Sequence, residues 1–557
     1  MKPETFFDNF EALADAPNGV QKLRELILQL AVRGKLVAQD EKDEPASVFI
    51  KKEQNAKKII SAPIINNDEK PFLLPKGWVF ARLSEIGKWA IGNGFPTSEQ
   101  GHEGKSILFC KVSDMNLEGN EKWIQTTVNT IDEEIADRIR ARVHPTGTVI
   151  FPKIGGAIAT NKRRIIIKPT AIDNNCLGII PYSFCNSDWL YLLLKSMDFT
   201  KYQSGTSVPA LNQGTLELII TGLPPLAEQH RIVAKVDQLM SLCDELESRQ
   251  QKKRESRAHL NSAALDRLLA ARAPGEFAEG WRRISDNFDL LYDAPENVGA
   301  LRQAILQLAV MGKLVAQDSN DEPAAVLLEK IKAQKEQLVK EKKIKRAETL
   351  VERSDVPFEL PKGWNWVSMG NALLKLTDGT HNSPPNYETG DFKYVTAKNI
   401  KNKGIDLTNI TYITTAVHNE IYSRCDPEPG DILYIKDGAT TGIAAINDIT
   451  EPFSMLSSVA LLKTPTEIYN RYLLYILRSP YFYSMMRDDM SGVAITRVTL
   501  TKLNKALIPL APLAEQRRIV ARVDLLMSLC DKLEAGLMRS QADSERLMEA
   551  VVGRMLA

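Results

Sequence analysis

Three blocks of this 557-residue chain occur twice, in the same order. Residues 9–46 recur at 287–324 with 26 of 38 positions identical, including Gly34-Lys35-Leu36-Val37-Ala38-Gln39-Asp40 and its copy ending at Asp318. Residues 71–78, ending Leu74-Pro75-Lys76-Gly77-Trp78, recur at 357–364 with one difference in eight. Residues 223–247 recur at 510–534 with 20 of 25 identical, and both carry Pro-Leu-Ala-Glu-Gln followed by Arg-Ile-Val-Ala. Between the blocks lie residues 79–222 and 365–509, of 144 and 145 residues, where only fragments align. Such a chain must fold as a duplicated framework that holds two unlike modules.

The framework reads as helix. After Pro512, with Glu515-Gln516 in the first turn where acidic groups suit the helix dipole, apolar residues fall at Ile519, Val523, Leu526, Cys530, Leu533 and Leu537. Steps of four and three make a heptad seam, expected to resume at Leu547 and Val551 after Ser540 and Ser544. The first copy, after Pro225, repeats it with Ile232, Val236, Leu239, Cys243 and Leu246, then turns polar through Gln250, Lys253 and Arg257. A shorter helix runs through Val20, Leu23, Ile27 and Leu30, and its copy through Val298, Leu301, Ile305 and Leu308. The expected arrangement packs the two long helices as an antiparallel coiled coil, with the short helices alongside. The repeat is cyclic: the C-terminal long helix has no short helix after it, so its equivalent partner begins at residue 9. Packing the chain's end against its beginning would complete a pseudo-two-fold.

Each variable module has strand-like runs, such as residues 148–151, 164–167 and 431–435, and one good helix, near residues 189–197 and 469–477. That predicts an α+β domain in each. Both carry a Gly-x-[Val/Ile]-[Ile/Leu]-[Phe/Tyr]-x-Lys segment, at 147–153 and 430–436, and a late glycine, Gly205 and Gly492. Cationic and amide side chains gather in loops around Lys105 and Lys111, at residues 160–164, 378–382 and 398–403, and in a linker run at 330–346 with eight Lys or Arg against two Glu. Such groups suit phosphates and base edges, and each run is equally compatible with a solvated surface.

The net charge of +1 argues against coating nucleic acid by bulk attraction and leaves local basic faces open. The start of the chain lacks a signal-peptide pattern, no apolar run is long enough to span a bilayer, and the six cysteines form no CxxC pair, which suits a reducing cytoplasm. Gly104-Lys105-Ser106 lacks the earlier glycine of a phosphate-binding loop, and Ser383-Pro384-Pro385-Asn386 lacks both flanks of an amino-methyltransferase motif. No zinc-protease motif, nucleophile elbow or metal-spaced Cys/His set occurs, so no metal site is expected.

The two Leu-Pro-Lys-Gly-Trp entries, the two Pro-Leu-Ala-Glu-Gln helix starts, the two Gly-Lys-Leu-Val-Ala-Gln-Asp blocks and the unlike modules between them resemble the specificity subunit of a type I restriction-modification system. The resemblance spans essentially the whole chain, and Asp378-Gly379-Thr380-His381 and Pro429-Gly430-Asp431-Ile432-Leu433 also have the look of such modules. It implies two α+β target recognition domains, at 74–222 and 360–509. Helical regions would lie at 1–73 and 510–557, and a central helical region with a charged linker at 223–359. Each recognition domain would read one half of a bipartite, asymmetric double-stranded DNA target. The helices would set the half-site spacing and dock two modification subunits that bind S-adenosylmethionine. Restriction subunits using ATP and magnesium would join them, and this chain would itself be non-catalytic. The residues expected to meet DNA are Lys111, Lys153, Asn161, Lys162, Arg163 and Arg164 in the first module. In the second they are Thr380, His381, Lys398, Asn399, Lys401, Lys436 and Arg497. Two other readings are a coiled-coil adaptor with two protein-binding modules and an enzyme with an unfamiliar active site.

Overall fold

The computed structural model describes residues 9–55, 63–205, 207–344, 356–487 and 497–556. Gly492 and the last two cations of the linker run, Lys345 and Arg346, lie outside the described residues. The chain divides into two compact units: Met1–Lys253 with Ser540–Ala557, and Arg254–Arg539. The helices that matter are α1 (Gly19–Val32), α2 (Ser187–Lys195), α3 (Leu226–Ala270), α4 (Pro295–Val310), α5 (Asn470–Arg478) and α6 (Leu513–Leu556). At ~1.5 Å per residue, the 45 residues of α3 and the 44 of α6 make rods of roughly 65 Å. Both begin one residue after the proline, which therefore stands just outside the first turn instead of within it. Among the described residues, no helix is long and apolar enough to cross a membrane.

The cyclic repeat closes within the first unit. Lys22 of α1 pairs with Glu545 and Glu549 at 3.2 and 3.4 Å, and Arg33 donates to the Leu556 carbonyl at 2.9 Å. These partners ascend together, so α1 and the end of α6 run parallel. Against α3 the order is reversed: Arg24 meets Asp244 and Glu247, while Asp43 meets Arg231. The end of α6 is therefore antiparallel to the start of α3. The second unit repeats this with Arg302 on Asp531 and Glu534, Asp321 on Arg518, and Arg257 of α3 on Asp293 just before α4.

The seams are buried as expected at Ile232, Val236, Leu239, Cys243, Leu246, Ile519, Val523 and Cys530, while Leu526 and Leu533 are partly buried. In each unit the seam shares its core with the short helix and with the far end of the other long helix. Val551 is buried as expected, but Leu547 is 61 % exposed, and Met548 and Met555 are buried in its place. From Leu537 to Met548 is an eleven-residue step, three turns of 3.67 residues, which a helix held by a globular core follows more readily than a strict heptad. The polar stretch of α3 also has partners, since Gln250 donates to the Ala14 carbonyl and the buried Asn261 amide to that of Asn297.

The repeated motifs meet at one junction per unit. Gly34 and Gly312 end the short helices in the left-handed region, both at φ 67°, and a side chain on either would strike Pro75 or Pro361 at about 2.3–2.4 Å. The next residue closes the helix backbone onto Leu30 or Leu308, and its ammonium caps an arriving long helix. Lys35 reaches the carbonyls of Met555 and Leu556, and Lys313 those of Leu269 and Ala271. Trp78 stands edge-on to Trp189 of α2, and Trp364 edge-on to Tyr472 of α5. The Glu-Gln pair stands in the first turn, as expected, and is buried there: Glu228 accepts from Gln39, and Glu515 from Gln317 and Trp364. Burial raises both carboxyls above their ordinary range. Gln229 accepts from the Asn186 amide and donates to the carbonyls of Phe184 and Pro224. Gln516 accepts from Tyr469 and donates to Glu467 and Ala511.

The modules share a topology that their sequences do not display. Each is closed by an antiparallel ribbon, Val79–Arg82 with Ile220–Leu223 in one and Asn365–Ser368 with Leu507–Leu510 in the other. In the first module a sheet is ordered Gly87–Ile91, Cys176–Pro181, Val149–Pro152, Arg164–Ile166, Trp123–Ile124. The second orders Lys375–Asp378, Val459–Lys463, Ile432–Ile435, Ala444–Ile446, the same first four places. A further sheet places Ile107–Cys110 between Asn129–Ile131 and the parallel Thr170–Ile172, as Phe392–Val395 lies between Thr411–Ile413 and the parallel Phe453–Met455.

Gln516→Ala strands one amide and two carbonyls that water reaches poorly. It is expected to destabilise its unit by about 2–3 kcal/mol in urea denaturation. A loss below about 0.5 kcal/mol would mean that solvent replaces these bonds.

Candidate nucleic-acid interface

The second module brings His381, Lys436 and Arg497 together around two carboxylates, while the neighbouring Thr380 donates to the Asn382 carbonyl. The strand Lys375–Asp378 ends where Gly379 passes so close to the next chain that a side chain on it would lie 1.9 Å from the Met455 carbonyl. The side chain of Asp378, just before it, is 3 % exposed. Its oxygens face Arg424 at 2.6 Å, Lys436 at 3.4 Å and His381 at 3.4 Å. Lys436, equally enclosed, also meets Asp437 at 3.3 Å, and Asp437 meets Arg497 at 3.4 Å. Three fixed cations over two carboxylates leave the cluster at +1, with Arg424 and Arg497 half-exposed at its two ends. Lys436 is thus the interior link, buried because it is doubly paired, and not a surface ligand as expected. Lys398 and Lys401 are exposed on a separate hairpin, Ile400–Lys401 with Gly404–Ile405. Asn399 is another correction: it is buried, accepting from the Thr396 amide and donating to the Asp406 carbonyl, so it shapes the loop that carries those lysines.

In the first module the corresponding strand, Gly87–Ile91, ends at Gly92, whose side chain would lie 1.8 Å from the Asp173 carbonyl. Asn93 follows, donating to the Arg140 carbonyl and accepting from the Arg142 amide, and both arginines are exposed. Ile91 stands where the second module has Asp378, so no buried carboxylate gathers cations here. Lys111 bonds Gln100 at 2.7 Å and lies over the Phe95 ring, and Lys153 is half-buried beside the backbone of Asn175 and Leu211.

The basic run at 160–164 is mostly internal. Asn161 turns the chain at φ 48° and exchanges bonds with Lys195 of α2: its amide donates to the Lys195 carbonyl and Lys195 Nζ to its own. Burial beside Arg163 and Arg164 brings the Lys195 ammonium down to about 8. Arg163 is fully enclosed, stacked 4.1 Å from the Phe199 ring centre and donating to the Leu194 carbonyl, and burial brings it down to about 9. Arg164 donates to the carbonyls of Arg163 and Met115. These two arginines are packing elements, bonded to carbonyls of α2 and of neighbouring segments, and of the three cations in the run only Lys162 keeps partial exposure. Arg140, Arg142 and Arg424 escaped sequence reasoning. Each follows a short helix with no spacing signal, and Arg424 meets Asp378 across 46 positions.

Two arginine-bearing turns, each bonded next to or at the glycine of the same strand end, put cationic donors on loops of both modules. A family profile described as "Type I restriction modification DNA specificity domain" matches residues 75–255 and 361–539, one copy per module. The chain belongs to this family. It is 32 % identical over 546 residues to the type I restriction enzyme EcoAI specificity subunit of Escherichia coli, covering 93 % of this chain and 90 % of that protein. It is 30 % identical to the EcoEI specificity subunit of the same organism, covering 97 % and 94 %. Among solved structures, the HsdS subunit from Thermoanaerobacter tengcongensis is 20 % identical, covering 87 % of this chain and 98 % of that one, with a TM-score of 0.44. The chain is a type I specificity subunit with two DNA specificity domains.

Loss of the Arg163 side chain in Arg163→Ala removes a buried stack and two carbonyl partners. It should cost about 3 kcal/mol in chemical denaturation, while Lys162→Ala should cost less than about 0.5 kcal/mol.

Proposed function

We propose that each recognition domain of this specificity subunit reads one half of a bipartite, asymmetric double-stranded DNA target. The helices α3 and α6 set the distance between the halves and dock two modification subunits. The observation that carries this reading is one topology in two modules with different cationic loops: Asp378 and Arg424 in one, Ile91 with Arg140 and Arg142 in the other. Unlike loops on like frames suit unlike half-sites. On this reading the thirteen expected contacts separate. Lys111, Lys153, Lys162, Thr380, His381, Lys398, Lys401 and Arg497 keep surface from which to meet phosphates or bases, and Asn161 orders its loop through Lys195. Leu525 and Leu529, a turn apart on α6 and about half exposed, support protein docking on the long helices. The chain contributes recognition and no bond chemistry. The methyl donor S-adenosylmethionine belongs to the modification subunits, and ATP and magnesium to the restriction subunits, all in the cytoplasm. The adaptor reading predicts no sequence preference on DNA when the modification subunits are present.

The test is selection from randomised DNA by the complex of this chain with its modification subunits. Exchange of residues 79–222 for those of another specificity subunit should change one half-site and leave the other. If both halves change while the complex stays assembled, the modular reading is wrong. A heptad inserted into both α3 and α6 adds about 10 Å and should lengthen the preferred spacer by about 3 bp. An unchanged spacer in a bound, assembled complex would overturn the role of the helices as a ruler.

A further inference from the structure

The cluster on Asp378 is built asymmetrically. All of the bonds that hold Arg424 run from one nitrogen, Nη2, to the Asp378 carboxylate at 2.6 Å and to the carbonyls of Asp378 and Gly379 at 3.0 and 2.5 Å. These bonds leave the donors of Nη1 and Nε unused on a side chain 51 % exposed, while the carboxylate beneath is 3 % exposed. A buried carboxylate needs cationic partners, and the enclosed Lys436 already supplies one. The second partner has a half-exposed guanidinium tethered through one nitrogen, so its orientation is held in advance while its other donors remain available. Preorganised charge of this kind loses less entropy on binding than a free arginine. Neighbouring groups suit the same use: Arg497 caps the other end of the cluster through Asp437, and His381 stands exposed beside Asp378. In the first module the residue after the equivalent glycine, Asn93, holds an arginine-bearing turn through the backbone of Arg140 and Arg142. An arginine at this strand end thus recurs in two modules that share a fold and little sequence.

We infer that Arg424 contacts DNA in the second half-site, donating to a base acceptor such as guanine O6 or N7 or to a phosphate oxygen, and that Asp378 is its positioning residue. This rests on the DNA-reading role proposed above and assigns it to a side chain. Both acceptors are electron-rich atoms on nucleic acid, and the guanidinium suits either. Asp378 does not touch DNA, since it is buried under the arginine it holds.

The experiment uses the full chain assembled with its modification subunits, selecting from randomised DNA at several salt concentrations, for wild type, Arg424→Gln and Asp378→Asn. If Arg424 reads a base, Arg424→Gln lowers the preference at one position of the second half-site by roughly 5- to 100-fold. If it holds a phosphate, affinity falls alike for all sequences and the salt slope drops by about one. In both cases Asp378→Asn reproduces the effect at reduced size, at the same position or in the same slope, and the first half-site is unchanged. The unchanged first half-site, with a melting curve, also establishes that the variants fold. Wild type with a bipartite preference and Arg424→Gln indistinguishable from it overturns the assignment of Arg424 alone. An Arg424→Gln effect that Asp378→Asn does not share overturns the positioning role. Wild type with no bipartite preference overturns this inference together with the proposed function.

Discussion

A buried side-chain amide at the start of each long helix is the contact on which the rest depends. Gln229 and Gln516 each bond three backbone groups, one at the start of the helix in the recognition domain and the others in the segments on either side. A neutral amide, unlike a carboxylate, both donates and accepts, so one side chain satisfies groups of opposite polarity in a place that excludes water. The neighbouring glutamate ties the same helix turn to the glutamine of the Gly-Lys-Leu-Val-Ala-Gln-Asp block. Short helix, long helix and recognition domain therefore meet at fixed angles within each unit. None of these bonds uses a variable side chain: where they reach the modules, they reach only backbone.

That arrangement explains how the modules diverge without losing their place. A loop residue in a module changes its own surface and leaves the junction intact, because the sheet order and the closing ribbon are common to both. The differences concentrate at strand ends. Asp378 organises three cationic or titratable side chains in one module, and Ile91 at the same strand end organises none in the other. The net charge of +1 over the whole chain fits this economy. Arg163, Arg164 and Lys436 are cations spent inside, stacked on an aromatic ring or bonded to carbonyls and carboxylates, so a count of basic residues overstates the cationic surface. Steric closeness at Gly92 and Gly379 lets these strand ends approach neighbouring backbone, and any side chain there would strike Asp173 or Met455.

Much of the frame was legible in the sequence because it is written twice. Two copies of a heptad seam and two copies of the junction motifs predicted the helices and the cyclic closure, and strand-like runs beside one helix predicted each α+β module. The misjudged parts share a cause. The seam near Leu547 shifts to Met548 because the core of the first unit, and not the helix's own repeat, decides which face is buried there. Arg163, Arg164 and Lys436 look like ligands in a linear string, and their partners lie tens of residues away, while Asn399 is turned inward by bonds within its own loop that only the folded loop reveals.

By itself, the sequence determined the duplicated framework and the positions of its helices, since periodicity and repetition are local or self-referential properties, and its repeated motifs carried the resemblance to the family. Only the tertiary structure decided which cations face solvent and which carboxylate holds them. Arg424 and Asp378 lie 46 residues apart with no periodic relation, and their pairing exists because a strand end and a helix end are brought together by sheets whose order no stretch of sequence states.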